Sequence, residues 1–154
     1  MTPQTSSLTH PGQVALLRGQ PTHDRGVPLT VTRAADAPTW DLPGAHFTGL
    51  ASPSRGDSKD ISVWRLVLDP HTEGVEHHLT SSEIFTPLAG VAQVQIHGRT
   101  ETIGVGDALV VPADTAFSIG NPADEAFEAI VCLPAGAQAA LTTGGEPFTP
   151  EWAA

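Results

Sequence analysis

Residues Glu83 to Asn121 read EIFTPLAGVAQVQIHGRTETIGVGDALVVPADTAFSIGN. The middle of this stretch settles the type of structure. In Val91–Ile96, Ala92, Val94 and Ile96 alternate with Gln93 and Gln95, so one face is apolar and the other polar. That is the period of a half-buried strand. His97-Gly98 is a two-residue turn, and Thr100–Ile103 returns to complete a hairpin. Gly106-Asp107 turns the chain again. The apolar run Ala108–Val111 is stopped by Pro112, which has no N–H to give to a sheet. Phe117–Ile119 is a further short strand.

The same pattern continues outward. Upstream, Glu83–Leu88, His46–Ala51 and the β-branched, aromatic Ile61–Leu68 (ISVWRLVL) are strand candidates, with Leu29–Arg33 a shorter one. Downstream, Phe127–Leu133 is another. Fifteen glycines and fourteen prolines cut the 154 residues into short pieces. One short helical candidate, Ala135–Leu141, follows Pro134. Residues 1–26 are polar and Pro/Gly-rich and are expected to form an N-terminal arm. Residues 27–154 are expected to form one barrel domain, with Gly144–Ala154, carrying Phe148 and Trp152, as an extended cover. Many short strands with regular turns define an all-β sandwich or barrel. Periodicity does not choose among jelly roll, lipocalin and immunoglobulin-like folds.

Charge and composition narrow the function classes. The formal net charge is -10, and Lys59 and the arginines are scattered, which argues against nucleic acid and anionic membranes as partners. No apolar run is long enough to span a bilayer. Met1–Ser7 shows no leader pattern, which predicts a cytoplasmic protein. The single cysteine, Cys132, rules out an intrachain disulfide framework and a Cys-rich zinc site. Its place in an apolar run predicts a small, buried core residue. There is no Gly-x-Ser-x-Gly elbow and no phosphate-cradling glycine loop.

The stretch from Pro70 to Pro122 resembles the two sequence motifs of the cupin superfamily. His78 is followed by four residues and Glu83, and Glu83 by six residues and Gly90. Gly106 is followed by five residues and Pro112, and Asn121 falls in register. Fifteen residues separate Gly90 from Gly106, as in small cupins. The resemblance implies a double-stranded β-helix, the jelly-roll cupin barrel. It also implies where a metal site would lie. The family's His-x-His pair aligns with Glu76 and His78, its glutamate with Glu83, and its last ligand histidine with Phe117. Pro70 stands in place of the leading glycine, and Asp114 in place of the glycine of the second motif.

Alternate residues on a strand share a face, so Glu76 and His78 are expected to look into the barrel with Glu83. These three form the metal set, if a metal is held, with His77 joining through a bulge. The cofactor is then none, or one divalent ion from among Fe, Mn, Ni and Zn. Phe117 carries no donor and speaks against the ion. In the other register His77 and Leu79 face inward and His78 outward.

Three readings stay open. The first is a barrel that binds a small-molecule metabolite in its mouth without a metal, using Glu76, His78 and Glu83 as polar groups and Phe85 and Phe117 as apolar wall. The second is a metal-dependent enzyme of dioxygenase, isomerase or decarboxylase type, built on His78 and the nearby carboxylates. The third is a homodimeric interaction module that uses the arm. Whether the protein is an enzyme is therefore undecided by sequence, as the fold hosts many activities.

Overall fold

The computed structural model describes residues 29–154. The arm expected at residues 1–26 lies outside them. Eleven strands follow in order: β1 (Thr39–Leu42), β2 (Ala45–Ala51), β3 (Ile61–Leu68), β4 (His77–Leu79), β5 (Glu83–Ala89), β6 (Val91–Ile96), β7 (Arg99–Gly104), β8 (Leu109–Val111), β9 (Phe117–Gly120), β10 (Phe127–Pro134) and β11 (Ala139–Leu141). One 3-10 turn, Glu151–Ala153, follows them among the described residues. The strands form two antiparallel sheets, in the orders β1-β2-β3-β10-β5-β8 and β11-β4-β9-β6-β7. This is the all-β jelly roll that the motifs implied.

Alternation along each strand builds the space between the sheets. In β3, Ser62, Trp64, Leu66 and Leu68 are buried while Ile61 and Arg65 are exposed. In β10, Phe127, Ala129, Val131 and Leu133 are buried in the same way. From the other sheet, Leu79, Val94, Phe117 and Ile119 close the core. The β6–β7 hairpin has the expected two-residue turn, with His97 at φ 50° and Gly98 at φ 72°. Gly90 joins β5 to β6 at φ 68°, and a Cβ there would lie 2.4 Å from the Ala126 carbonyl oxygen. Asp114, standing where the motif has glycine, keeps the left-handed backbone at φ 57°. Aspartate is one of the few side chains that tolerate it.

Asn121 is the hub of the second motif. It is fully buried. Its Nδ2 group lies 3.2, 3.1 and 2.8 Å from the carbonyl oxygens of Leu68, Asp69 and Glu125, and its Oδ1 accepts from the Ala123 N–H at 3.0 Å. One side chain thus ties the end of β3 to the loop before β10. At the same corner, His46 bridges Asp41 at 2.6 Å and Asp69 at 3.1 Å. Hydrogen bonds to the two carboxylates, Asp41 first, hold its pKa above the ordinary value.

Three local expectations are corrected, and two short strands are added. Leu29–Arg33 is not a strand: Leu29 and Val31 are exposed and find no sheet partner. Ala135–Leu141 is not helical: Gly136 takes φ 81°, which ends any helix, and Ala139–Leu141 pairs with β4 instead. Short β1 and β4 were not legible as strands, since each has only three or four residues. Cys132 is not a core residue: Val131 and Leu133 take the inward positions, so Cys132 faces outward and is half-buried.

The C-terminal segment does act as a cover. Phe148 pairs with Ala139 through two backbone hydrogen bonds of 2.8 and 2.9 Å. The Trp152 ring stacks on Phe47 with centroids 3.7 Å apart.

Candidate functional site

A cavity of about 500 Å³ opens between the two sheets. Its walls are apolar and aromatic. Trp64, Leu66 and Leu68 come from β3, Phe47 from β2, Phe85 from β5 and Ile119 from β9. The C-terminal cover adds Phe148 and Trp152. At the mouth, Leu42, Val75, Leu141 and Phe148 line the cavity and are also exposed to solvent. Such an apolar rim around a deep opening suits entry of an apolar molecule better than of an ion.

Two titratable groups break the apolar wall within it. The first is Glu83, at the start of β5 opposite Val111. Its residue exposure is 4%, and its Oε2 has no hydrogen-bond partner. Burial alone pushes its pKa from 4.5 up to about 8, so it is a neutral carboxylic acid at neutral pH. The second is His77. Its Nδ1 donates to the Val75 carbonyl at 2.8 Å, and burial, the larger effect, holds its pKa below the ordinary value. With the proton held on Nδ1, Nε2 is left as an unprotonated acceptor. Glu73 and Thr72 also line the cavity, but Glu73 is exposed and Thr72 donates to the Gly44 and Asp69 carbonyls.

The expected face of β4 is inverted. Val75, His77 and Leu79 line the cavity, while Glu76 and His78 do not. His77 stands opposite Phe117, and His78 is paired with Ala140 on the opposite face of the strand. The physical reason is Leu79. Its side chain is buried at 4% exposure, and in a strand this forces His77, two residues back, to the same side. Of the residues read from sequence as pocket-forming, Glu83 and Phe85 line the cavity. Phe117 is fully buried behind the wall, with its ring 4.5 Å from that of His77 and 6.0 Å from that of Phe85. Glu76 is exposed, and its carbonyl accepts from Thr142. The sequence missed Phe47, Phe148 and Trp152, which come from distant segments and carry no spacing signal.

The inversion also moves the positions of the family's metal ligands. On the inward face the His-x-His pair falls on Val75 and His77, with Glu83 and Phe117 completing the set. Two of the four positions carry no donor. Among the described residues no three His, Cys, Asp or Glu side chains come together in a way that could hold an ion. Glu83 also prefers its proton, which a metal ligand must give up. The donor set does not fit a divalent metal, and the expected group of His78, Glu83 and Glu76 does not assemble.

Comparison with known proteins agrees with this architecture. Residues 64–133 match the family model for the cupin domain. The fold is similar to that of the polyketide cyclase RemF from Streptomyces resistomycificus, with a TM-score of 0.67 at 14% identity over 77% of this chain and 89% of that one. An RmlC-like cupin from Shewanella frigidimarina gives a TM-score of 0.59 at 17% identity, covering 70% of this chain and 91% of that one. Salicylate 1,2-dioxygenase from Pseudoaminobacter salicylatoxidans gives 0.59 at 19% identity, covering 70% of this chain but only 31% of that one. No curated protein matches the sequence. Residues 64–133 thus match a cupin domain, and the fold around them is similar to that of solved cupin structures. No helix among the described residues is long and apolar enough to cross a membrane.

Proposed function

We propose that this protein binds a small, largely apolar molecule in its barrel cavity, without a metal, and holds it by one hydrogen bond from Glu83. The observation that carries this reading is the Glu83 carboxyl, which lines an aromatic cavity of about 500 Å³ and whose buried Oε2 has no hydrogen-bond partner. A buried polar atom without a partner costs about 1–3 kcal/mol. A ligand oxygen at that point would recover the loss and fix the ligand's orientation. The aromatic side chains of Trp64, Phe85 and Phe47 favour a ring over a flexible chain.

The test is binding of N-phenyl-1-naphthylamine, a neutral fluorescent probe of suitable size, to protein purified without chelator, with bound metal measured alongside. One probe per chain with enhanced, blue-shifted emission is expected, weakened by Ala45→Trp, which would fill the cavity from β2. Absence of binding, or binding that follows metal content, would overturn the reading.

A homodimer rests on a separate observation. The outer face of the first sheet carries a row in register across five strands: Val110, Ile84, Cys132, Val63 and Ala51. Ile84 and Val110 are 40% and 57% exposed. The charges beside the row, Arg65 and Glu128, neutralise each other in a two-pronged pair of 2.6 and 2.8 Å. In a chain of net charge -10, a neutral apolar face is where a second copy meets least repulsion. The row is also centred on Cys132, so a two-fold axis there would set like side chains against like. We infer that a second copy packs on this face. Light scattering should give a dimer for the full chain and a monomer for Ile84→Lys with Val110→Lys. A monomeric full chain, or a dimer that survives both changes, would refute it.

A further inference from the structure

The cavity contains a neutral acid and a neutral base, and nothing in ligand binding alone calls for the base. The imidazole of His77 is held in one tautomer by the Val75 carbonyl, and its Nε2 has no hydrogen-bond partner among the described residues. His77 lines the cavity, and so does Glu83. The Phe117 ring spans the gap between the rings of His77 and Phe85, and Phe85 lies two residues along the same face of β5 from Glu83. No hydrogen bond or ion pair joins His77 to Glu83, so the two open separately onto one cavity. A ligand between them meets an acid at one point and a base at another.

We propose that the cavity catalyses metal-independent proton transfer on a cyclic, largely apolar ketone, with Glu83 as hydrogen-bond donor to the carbonyl oxygen and His77 Nε2 as the base on the adjacent carbon. This rests on the ligand reading above and adds a reaction to it. The base takes the α-proton, so the C–H bond breaks and its electron pair becomes the carbon–carbon π bond. The carbonyl π pair moves onto oxygen, where the Glu83 O–H stabilises the growing negative charge. The imidazolium then returns its proton, either to the same carbon or, where the ketone carries a β,γ double bond, to the γ carbon. Every atom and electron is conserved, and no oxidant or ion enters. A carboxyl that stays protonated in an apolar site is suited to stabilise an enolate oxygen. A positioned base typically contributes on the order of 100-fold or more.

The experiment follows exchange of the α-protons of 2-tetralone in deuterated buffer by NMR, using chelator-treated full-length protein. Displacement of N-phenyl-1-naphthylamine by 2-tetralone is measured on the same samples. Wild type should exchange the α-protons roughly 100-fold faster than an equal concentration of free imidazole. His77→Gln and His77→Asn should lose this while still binding the fluorescent probe, which shows that they fold. Glu83→Gln should exchange more slowly. Displacement without exchange, or exchange unchanged in both His77 variants, overturns the catalytic inference and leaves ligand binding standing. Failure of 2-tetralone to displace the probe overturns the catalytic inference for cyclic ketones, and failure of the probe itself to bind removes both readings.

Discussion

His77 on β4 stands directly across from Phe117 on β9, and their rings lie 4.5 Å apart. This pair occupies the place where the family would put two metal-binding histidines on facing strands. One partner keeps its nitrogen and the other offers only a ring. The consequence is a cavity whose two buried titratable groups, His77 and Glu83, are both pushed by burial toward their neutral forms.

Restoring a donor at that place should restore the metal. Phe117→His would bring a third side-chain donor into the set with His77 and Glu83, and a bound cation would also favour ionised Glu83. The variant is expected to bind about one Zn²⁺ or Ni²⁺ per chain by mass spectrometry of the native protein, and wild type none. Equal metal content in the two proteins would show that the inward face has been misassigned.

Glu83 should make stability depend on pH. Its pKa is 4.5 in the ordinary state and about 8 in the fold, so between those values the folded chain keeps a proton that the unfolded chain has lost. Stability is therefore greatest below pH 4.5 as far as this group is concerned. It falls by up to about 1.4 kcal/mol per pH unit as pH rises toward 8, and is level beyond. Glu83→Gln cannot ionise and should flatten this slope, giving a higher melting temperature than wild type at pH 8. Parallel melting curves from pH 5 to pH 8 would contradict the buried, neutral carboxyl.

Asn121 should prove structural. Its removal in Asn121→Ala leaves the carbonyls of Leu68, Asp69 and Glu125 and the Ala123 N–H without this partner. A loss of about 2–4 kcal/mol is expected in urea unfolding. A change under about 0.5 kcal/mol, the size of an ordinary surface substitution, would show that the network contributes little.

Gly90 should resist every side chain. Gly90→Ala meets both a left-handed backbone and a carbonyl oxygen 2.4 Å from the new Cβ. The shift needed to relieve the contact falls on the β5–β6 junction. Destabilisation of at least about 1–2 kcal/mol is expected. At Gly98, where nothing lies within 4 Å of a built Cβ, alanine should cost less, and the two variants compared by thermal melting separate collision from backbone strain.

The sequence by itself determined the architecture. Period-two alternation in Val91–Ile96, the His97-Gly98 turn, the run ISVWRLVL and the motif residues Gly90, Gly106, Pro112 and Asn121 are local signals, each read within a few residues. Glu83 and Phe85 were legible for the same reason, since they belong to a long strand whose buried face alternates clearly. The facing of β4 was not legible. A three-residue strand has no alternation to count, and a one-residue slip exchanges His77 for His78. The tertiary structure decided it through Leu79, whose burial against the core fixes which histidine looks inward. It alone also closed the cavity, because Phe47, Phe148 and Trp152 are far apart in the chain and meet only when the C-terminal segment folds back over β2 and β11. Long-range packing of that kind leaves no pattern in the order of residues, whereas strand and turn preferences are set by neighbours along the chain.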